Sequence, residues 1–151
     1  MNVNFKPAVV ADLELLVSFM RALYAHDEIA FDETVARRAT VELLNNETKG
    51  RVWLIEADGE QVGYVVLTYG YSLEFHGRDA LVDELFLLET MRGRGLGRRT
   101  LEFVAAFCRA QGISALHLEV EHTNLHAHRL YRNFGFREHE RHFMTKWLNE
   151  E

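Results

Sequence analysis

Glu84-Leu85-Phe86-Leu87-Leu88-Glu89-Thr90-Met91-Arg92-Gly93-Arg94-Gly95-Leu96-Gly97-Arg98-Arg99-Thr100-Leu101 is the stretch on which the rest of the chain turns. An apolar run ends, three glycines alternate with Arg94 and Leu96, and a helical pattern begins at once. Glycine loses more chain entropy on folding than any other residue, so three at a helix start amount to about 2–3 kcal/mol against alanine. An anion compensates such a cost. First-turn N–H groups lack intrahelical partners, the helix dipole favours negative charge there, and glycines let a phosphate approach the backbone. Arg92, Arg94, Arg98 and Arg99 add positive charge. The stretch reads as a phosphate cradle between a strand and a helix.

Outward from the cradle, residues 80–88 form the strongest strand, apolar on both faces apart from Asp83 and Glu84, which predicts a central, covered position. The helix after the glycines runs to Ala110 and closes at Gln111-Gly112. Its polar strip is narrow (Arg98, Arg99, Glu102, Arg109), so it is expected to be buried on most sides. Residues 115–120 follow as a strand, and residues 124–134 as a helix with Ala127, Leu130, Tyr131 and Phe134 at i, i+3, i+4, i+7, ended by Gly135. Residues 136–140 and 142–148 read as a closing antiparallel pair.

Upstream, residues 3–6 alternate ahead of Pro7 and suit an edge strand. Residues 11–26 carry Leu13, Leu16, Phe19, Met20 and Leu23 at helical spacing, with Asp12 in the first turn. Asp32 is the N-cap of a second helix, whose Val35, Ala39 and Leu43 repeat every four residues up to Asn45-Asn46. Residues 51–57 and 61–71 are strands joined by an Asp58-Gly59 turn, and Gly63 marks a bulge or a close backbone approach. Residues 72–78 form a loop bearing Glu74 and His76. These elements describe one α/β domain over residues 1–151, with a mainly antiparallel mixed sheet and a strand–helix–strand crossover.

The net charge of −6 argues against nucleic acid as a partner and makes the local arginine cluster stand out. No apolar stretch is long enough to span a bilayer and no signal-peptide core is present, which predicts a cytoplasmic protein that does not engage a membrane. The lone Cys108 excludes an internal disulfide framework and reads as a small buried hydrophobe. His122, His126 and His128 lie close together, but only the first two have i, i+4 spacing and no cysteine accompanies them; no metal site is expected.

Two phosphate-loop templates fail on residues 92–100. A Walker loop needs a Gly-Lys-Ser/Thr, and there is no lysine; a Gly-x-Gly-x-x-Gly fingerprint would put its last glycine on Arg98. What remains is Arg-x-x-Gly-x-Gly, on Arg92, Gly95 and Gly97. With the strand ending in Glu119-Val120, then Asn124, Ala127, Leu130-Tyr131 and Gly135-Phe136, it resembles the GNAT superfamily of acyl-CoA-dependent N-acetyltransferases, most closely over residues 80–136. The region from Tyr71 to Leu87 is more loosely similar to the diamine acetyltransferase branch.

The resemblance implies a GNAT-like fold, with a mostly antiparallel twisted sheet, one parallel splayed pair and about four helices. It implies acetyl-CoA as cofactor, with coenzyme A as product. The pyrophosphate falls to the backbone of Arg92, Gly93, Arg94, Gly95, Leu96, Gly97 and Arg98. The pantetheine arm falls to Leu85, Phe86 and Leu87, where an N–H faces the thioester carbonyl. Asn124 matches a cofactor-contacting asparagine, and Tyr131 the tyrosine that protonates the departing thiolate, a role its ordinary pKa of about 10 permits. Many relatives carry proline where Glu89 stands. Tyr131 also lies on the apolar stripe of its helix, so a core role is the competing reading.

An amine must lose a proton before it attacks. Relatives use an acidic residue of the central strand, here Asp83 or Glu84; the period-two rule puts these on opposite faces, and both stay open. The acidic link holding Asp27 and Glu28, together with Glu74, falls where the family binds its amine substrate, and its charge suits a cation. The acceptor is thus a small-molecule or peptide amine, its identity open, and a homodimer is a family habit. The competing class is a non-catalytic acyl-CoA-binding or regulatory module of the same fold.

Overall fold

The computed structural model describes residues 1–149. These fall into two compact units, divided between Glu119 and Val120. The first holds a five-stranded mixed sheet in the order β1-β2-β3-β4-β5: β1 (Val3–Pro7), β2 (Gly50–Ala57), β3 (Glu60–Ser72), β4 (Gly77–Leu87) and β5 (Ala115–Leu118). Neighbours pair antiparallel except β4 and β5, which are parallel. Pro7, which has no N–H to give a ladder, sits at the end of the edge strand β1.

The β2–β3 hairpin turns on Asp58 (φ 50°) and Gly59 (φ 84°), the left-handed pair that a two-residue type I′ turn requires. Gly63 marks a close backbone approach: a Cβ there would stand 2.0 Å from the Phe86 carbonyl oxygen. A register shift also falls beside it, at Ile55/Glu56 of the facing strand.

Two helical layers cover the sheet. α1 (Leu13–His26) and α2 (Glu33–Leu44) lie on one face, where Leu16, Phe19 and Met20 meet Val52, Leu54, Tyr64, Val66 and Phe86. α3 (Leu96–Ala110) lies on the other, Phe103 stacking on Phe5 at 4.4 Å and meeting Trp53 edge-on at 5.1 Å. Alternate β2 residues therefore go to opposite layers, which accounts for the continuously apolar run in that strand. Burying each such Val, Leu or Phe contributes about 1.5–3 kcal/mol.

Asp32 caps α2 as expected, its Oδ1 accepting from the Val35 N–H at 3.2 Å. The inward stripe of α2 differs from the expected one: Val35 and Ala39 are exposed, and Ala36, Thr40, Leu43 and Leu44 turn toward the sheet. Thr40 escapes an apolar pattern search yet is buried, because its hydroxyl donates to the Ala36 carbonyl at 2.6 Å.

The second unit contains α4 (Leu125–Phe134), ended by Gly135 at φ 114° with the Phe136 N–H returning to the Tyr131 carbonyl. The expected closing pair of strands is absent: residues 136–147 form no ladder, and Phe143, Met144, Trp147 and Leu148 are exposed. An alternating pattern alone does not make a strand, because a two-stranded hairpin needs further strands or a helix beneath it.

Candidate active site

β4 organises the candidate site residues of the first unit. Its pairing with β5 stops at Val82↔Leu118, while its pairing with β3 continues to Leu87. Residues 83–87, including Leu85, Phe86 and Leu87, thus have no β5 partner on one edge. A strand edge of that kind hydrogen-bonds an extended, amide-bearing ligand as an added strand would. Phe86 itself is packed into the α1 layer, 5.5 Å from Phe19, so only its backbone belongs to this edge.

Beyond β4 a short 3₁₀ turn (Glu89–Met91) leads into Arg92-Gly93-Arg94-Gly95. Gly93 (φ 74°) and Gly95 (φ 81°) are left-handed, a backbone state that side chains rarely adopt. The first helical bond runs from the Arg99 N–H to the Gly95 carbonyl, so the N–H groups of Leu96, Gly97 and Arg98 have no intrahelical partner. No side chain caps this end, and no acidic residue stands in its first turn. Donors and dipole of this kind fit a pyrophosphate.

The arginines divide differently from the expectation that all four serve the anion. Arg92 folds back, its Nε donating to the Leu87 carbonyl at 3.1 Å and its guanidinium lying 5.9 Å over the Phe86 ring. Arg98 pairs with Glu102 at 3.2 Å, and Arg99 donates to the Met1 carbonyl. Arg94 is exposed at the loop tip.

The acidic pair on β4 corrects the period-two reading. Val66 pairs with Glu84 and Leu67 with Val82, so Asp83 is an extra residue, a β-bulge. The alternation breaks there, and Asp83 and Glu84 line one cavity of about 240 Å³ with Leu23, Tyr24, Asp27 and Ile29. Glu28 and Glu74 do not line it: Glu28 (φ 56°) is exposed past the end of α1, and Glu74 is exposed on the β3–β4 loop.

Glu84 is the better-held carboxylate. It accepts from the Tyr24 hydroxyl at 2.6 Å and the Tyr64 hydroxyl at 2.7 Å. Burial raises its pKa; the two hydroxyl bonds oppose that, and the charges of Asp83 and Asp27 reinforce it. Crowding by protein also raises Asp83. Burial drives both tyrosines upward, with Glu84 adding to the effect, so they stay donors. Tyr24 and Tyr64 escaped the sequence reading. The available signal was Tyr64 within the apolar run of residues 62–67, since a buried phenol needs a polar partner.

Within the second unit, Asn124 caps α4, its Oδ1 accepting from the Ala127 N–H at 3.1 Å. That local duty accounts for an asparagine there without a ligand. Tyr131 is half-buried, its ring meeting Phe136 edge-on at 6.0 Å. His128 joins Glu138 at 3.0 Å and the Glu121 carbonyl at 2.9 Å. Among the described residues no group of three or more His, Cys, Asp or Glu is placed to hold a metal, and no helix is long and apolar enough to cross a membrane.

Residues 17–136 match the Acetyltransferase (GNAT) family. The chain belongs to the GNAT acetyltransferases. It is similar to the L-methionine sulfoximine/L-methionine sulfone acetyltransferase of Pseudomonas aeruginosa, 27% identical over 146 residues that cover 90% of this chain and 81% of that one. The integron cassette protein HFX_CASS3, from the mobile metagenome of Cole Harbour Salt Marsh, superposes with a TM-score of 0.83 at 33% identity, over 97% of this chain and 91% of its own. A predicted acetyltransferase from Clostridium acetobutylicum, solved with acetyl-CoA, shares the fold with a TM-score of 0.81 at 17% identity, over 99% of each chain. This GNAT chain is accordingly an acyltransferase, and its mixed five-stranded sheet with four helices is the family's fold.

Proposed function

We propose that the protein transfers the acetyl group of acetyl-CoA to a cationic primary amine by direct attack in a ternary complex. One observation carries this reading: β4 contributes Asp83 and Glu84 to a cavity with three carboxylates and no basic side chain, and the loop that follows it leads into a helix start whose first turn has no acidic residue. The cavity suits an ammonium group, the helix start a pyrophosphate. The family match crosses the boundary between the two units, which supports one acetyltransferase domain over residues 1–151.

In this reading the N–H groups of the loop and first turn, from Gly93 to Arg98, hold the pyrophosphate with Arg94 alongside, the Arg92 N–H being taken by the Glu89 carbonyl, and the backbone of Leu85, Phe86 and Leu87 holds the pantetheine arm. Asn124 orders the start of α4 and adds a cofactor contact. Acetyl-CoA supplies the activated thioester. Glu84 accepts the proton that the ammonium must lose, with Asp83 and Asp27 holding the cation beside it. A backbone N–H of residues 85–87 polarises the acyl carbonyl. Tyr131 gives its proton to the sulfur as the carbon–nitrogen bond forms and the carbon–sulfur bond breaks, and the second proton that the amine nitrogen sheds on becoming an amide restores the phenol through solvent. Glu28 and Glu74 contribute charge at longer range.

The test is thiol release from acetyl-CoA in the presence of a panel of primary amines, with the product's acetyl group located by mass spectrometry. Amine-dependent release is expected, strongest for amines without a carboxylate. Coenzyme A binding without release for any amine would overturn the reading and leave an acyl-CoA-binding module.

A further inference from the structure

Most of what surrounds Glu84 works against a base. The other charged groups that face it are both acidic, Asp83 beside it on β4 and Asp27 just past the end of α1, and no basic side chain lines their cavity. Burial and acidic neighbours each favour the neutral carboxylic acid. A carboxyl group that already holds its proton takes none from an amine.

Two phenols oppose that tendency. The Tyr64 hydroxyl donates to Oε1 at 2.7 Å and the Tyr24 hydroxyl to Oε2 at 2.6 Å, so each carboxylate oxygen has its own donor. Burial makes both phenols hold their protons tightly, so both remain donors, and donors favour the charged carboxylate. A carboxylate oxygen has two lone pairs, so each keeps one open beside its tyrosine.

The two rings are held differently. Tyr64, from β3, is fully covered and packs between Phe19 and Phe86, each at a centroid distance of 6.2 Å. Tyr24, in the last turn of α1, is half-buried, lines the cavity and is braced edge-on by Phe31 at 5.2 Å. Water replaces a donor lost on the cavity side, whereas an acceptor left bare beneath α1 has no substitute.

We propose that Tyr24 and Tyr64 are positioning residues for Glu84, which fix its carboxylate at the cavity and keep it in the form that accepts the ammonium proton. The inference rests on the reading of Glu84 as the group that deprotonates the amine. In that step an N–H bond of the ammonium breaks and an O–H bond to Glu84 forms, on a lone pair that the tyrosines leave open.

The test follows the Glu84 carboxyl by NMR in protein carrying isotope-labelled glutamate, its resonance identified by its loss in Glu84→Gln. It needs no turnover. Tyr64→Phe is expected to raise the titration midpoint by about 1–2 pH units, the scale of a hydrogen bond to a charged group, and Tyr24→Phe by about half of that or less. Kinetics then use the amine of the panel that releases most thiol. Below the native midpoint, kcat/KM should fall about tenfold for each pH unit of that rise, and the loss should shrink as pH climbs past the new midpoint. A merely structural role would cost the same at every pH. Should Tyr64→Phe fail to fold, Tyr24→Phe decides alone by whether its midpoint rises. An unmoved midpoint in the folded variants, or a loss of equal size at every pH, overturns the proposal. A raised midpoint in a protein that releases no thiol with any amine would instead sink the transferase reading and leave the hold on Glu84 standing.

Discussion

The bulge of β4 and the loop that follows the strand are built from different materials. At the loop, the proposed anion site is made of backbone: left-handed Gly93 and Gly95, the first-turn N–H groups that no carbonyl of the helix accepts, and a helix dipole. At the bulge, the proposed cation site is made of side chains gathered from three elements and a loop: Tyr24 and Asp27 at the end of α1, Ile29 beyond it, Tyr64 from β3, and Asp83 and Glu84 from β4. A backbone site is contiguous in sequence and tolerates no added bulk. A side-chain site is dispersed in sequence, and its parts act through charge and hydrogen bonding.

The comparison makes graded predictions. The largest effect belongs to the backbone site: Gly97→Val should abolish coenzyme A binding in calorimetry while far-UV circular dichroism stays that of the folded chain. Gly97 is helical and half-buried, so the added side chain acts where the anion sits rather than on a strained φ. Normal binding heats would break the assignment of that end to an anion.

Next comes Tyr131→Phe, expected to lower kcat by about 10²-fold, the scale of a lost general acid, with coenzyme A affinity unchanged. An unaltered kcat across a pH series would return Tyr131 to the core of its unit, where its contact with Phe136 already places it.

Glu84→Gln should lower kcat/KM by about 10²-fold as well, and it carries a second signature. The native carboxyl has a raised pKa, so it binds a proton more tightly than in the unfolded chain. The stability from that difference is complete below the ordinary carboxylate range and is lost as pH rises through the native value. Activity should move the other way, rising with pH over a limb displaced above that range. Both dependences should vanish in Glu84→Gln, read from melting temperature and from kcat/KM against pH. If Asp83→Asn removes the activity limb instead, the proton goes to the bulged residue.

The smallest effect is the control. Asp32→Ala removes the α2 cap and should cost about 1 kcal/mol of stability in denaturant unfolding without altering either KM.

Much of the fold was legible in order. Caps, turns and periodicity gave β1, the hairpin at Asp58-Gly59, the Asp32 start of α2 and the Gly135 stop of α4, because each depends on local stereochemistry. Misreadings came where a partner decided the outcome. Val35 and Ala39 kept helical spacing yet faced away, since the sheet meets α2 one residue further round. Residues 136–148 had the alternation of strands and found no ladder among the described residues. Arg92 was read for its charge alone, and its contacts with the Leu87 carbonyl and the Phe86 ring came only with the fold.

By itself the sequence determined the cradle and, through it, the family: the geometry of a glycine loop at a helix start is written in consecutive residues, since φ and unpartnered N–H groups are properties of the local chain. Only the tertiary structure decided what surrounds the acidic pair of β4. A bulge created by pairing with β3 turns Asp83 and Glu84 toward one cavity, and α1 brings Asp27 and Tyr24 to it. Register and coverage arise between strands and layers, where sequence spacing holds no record of distance.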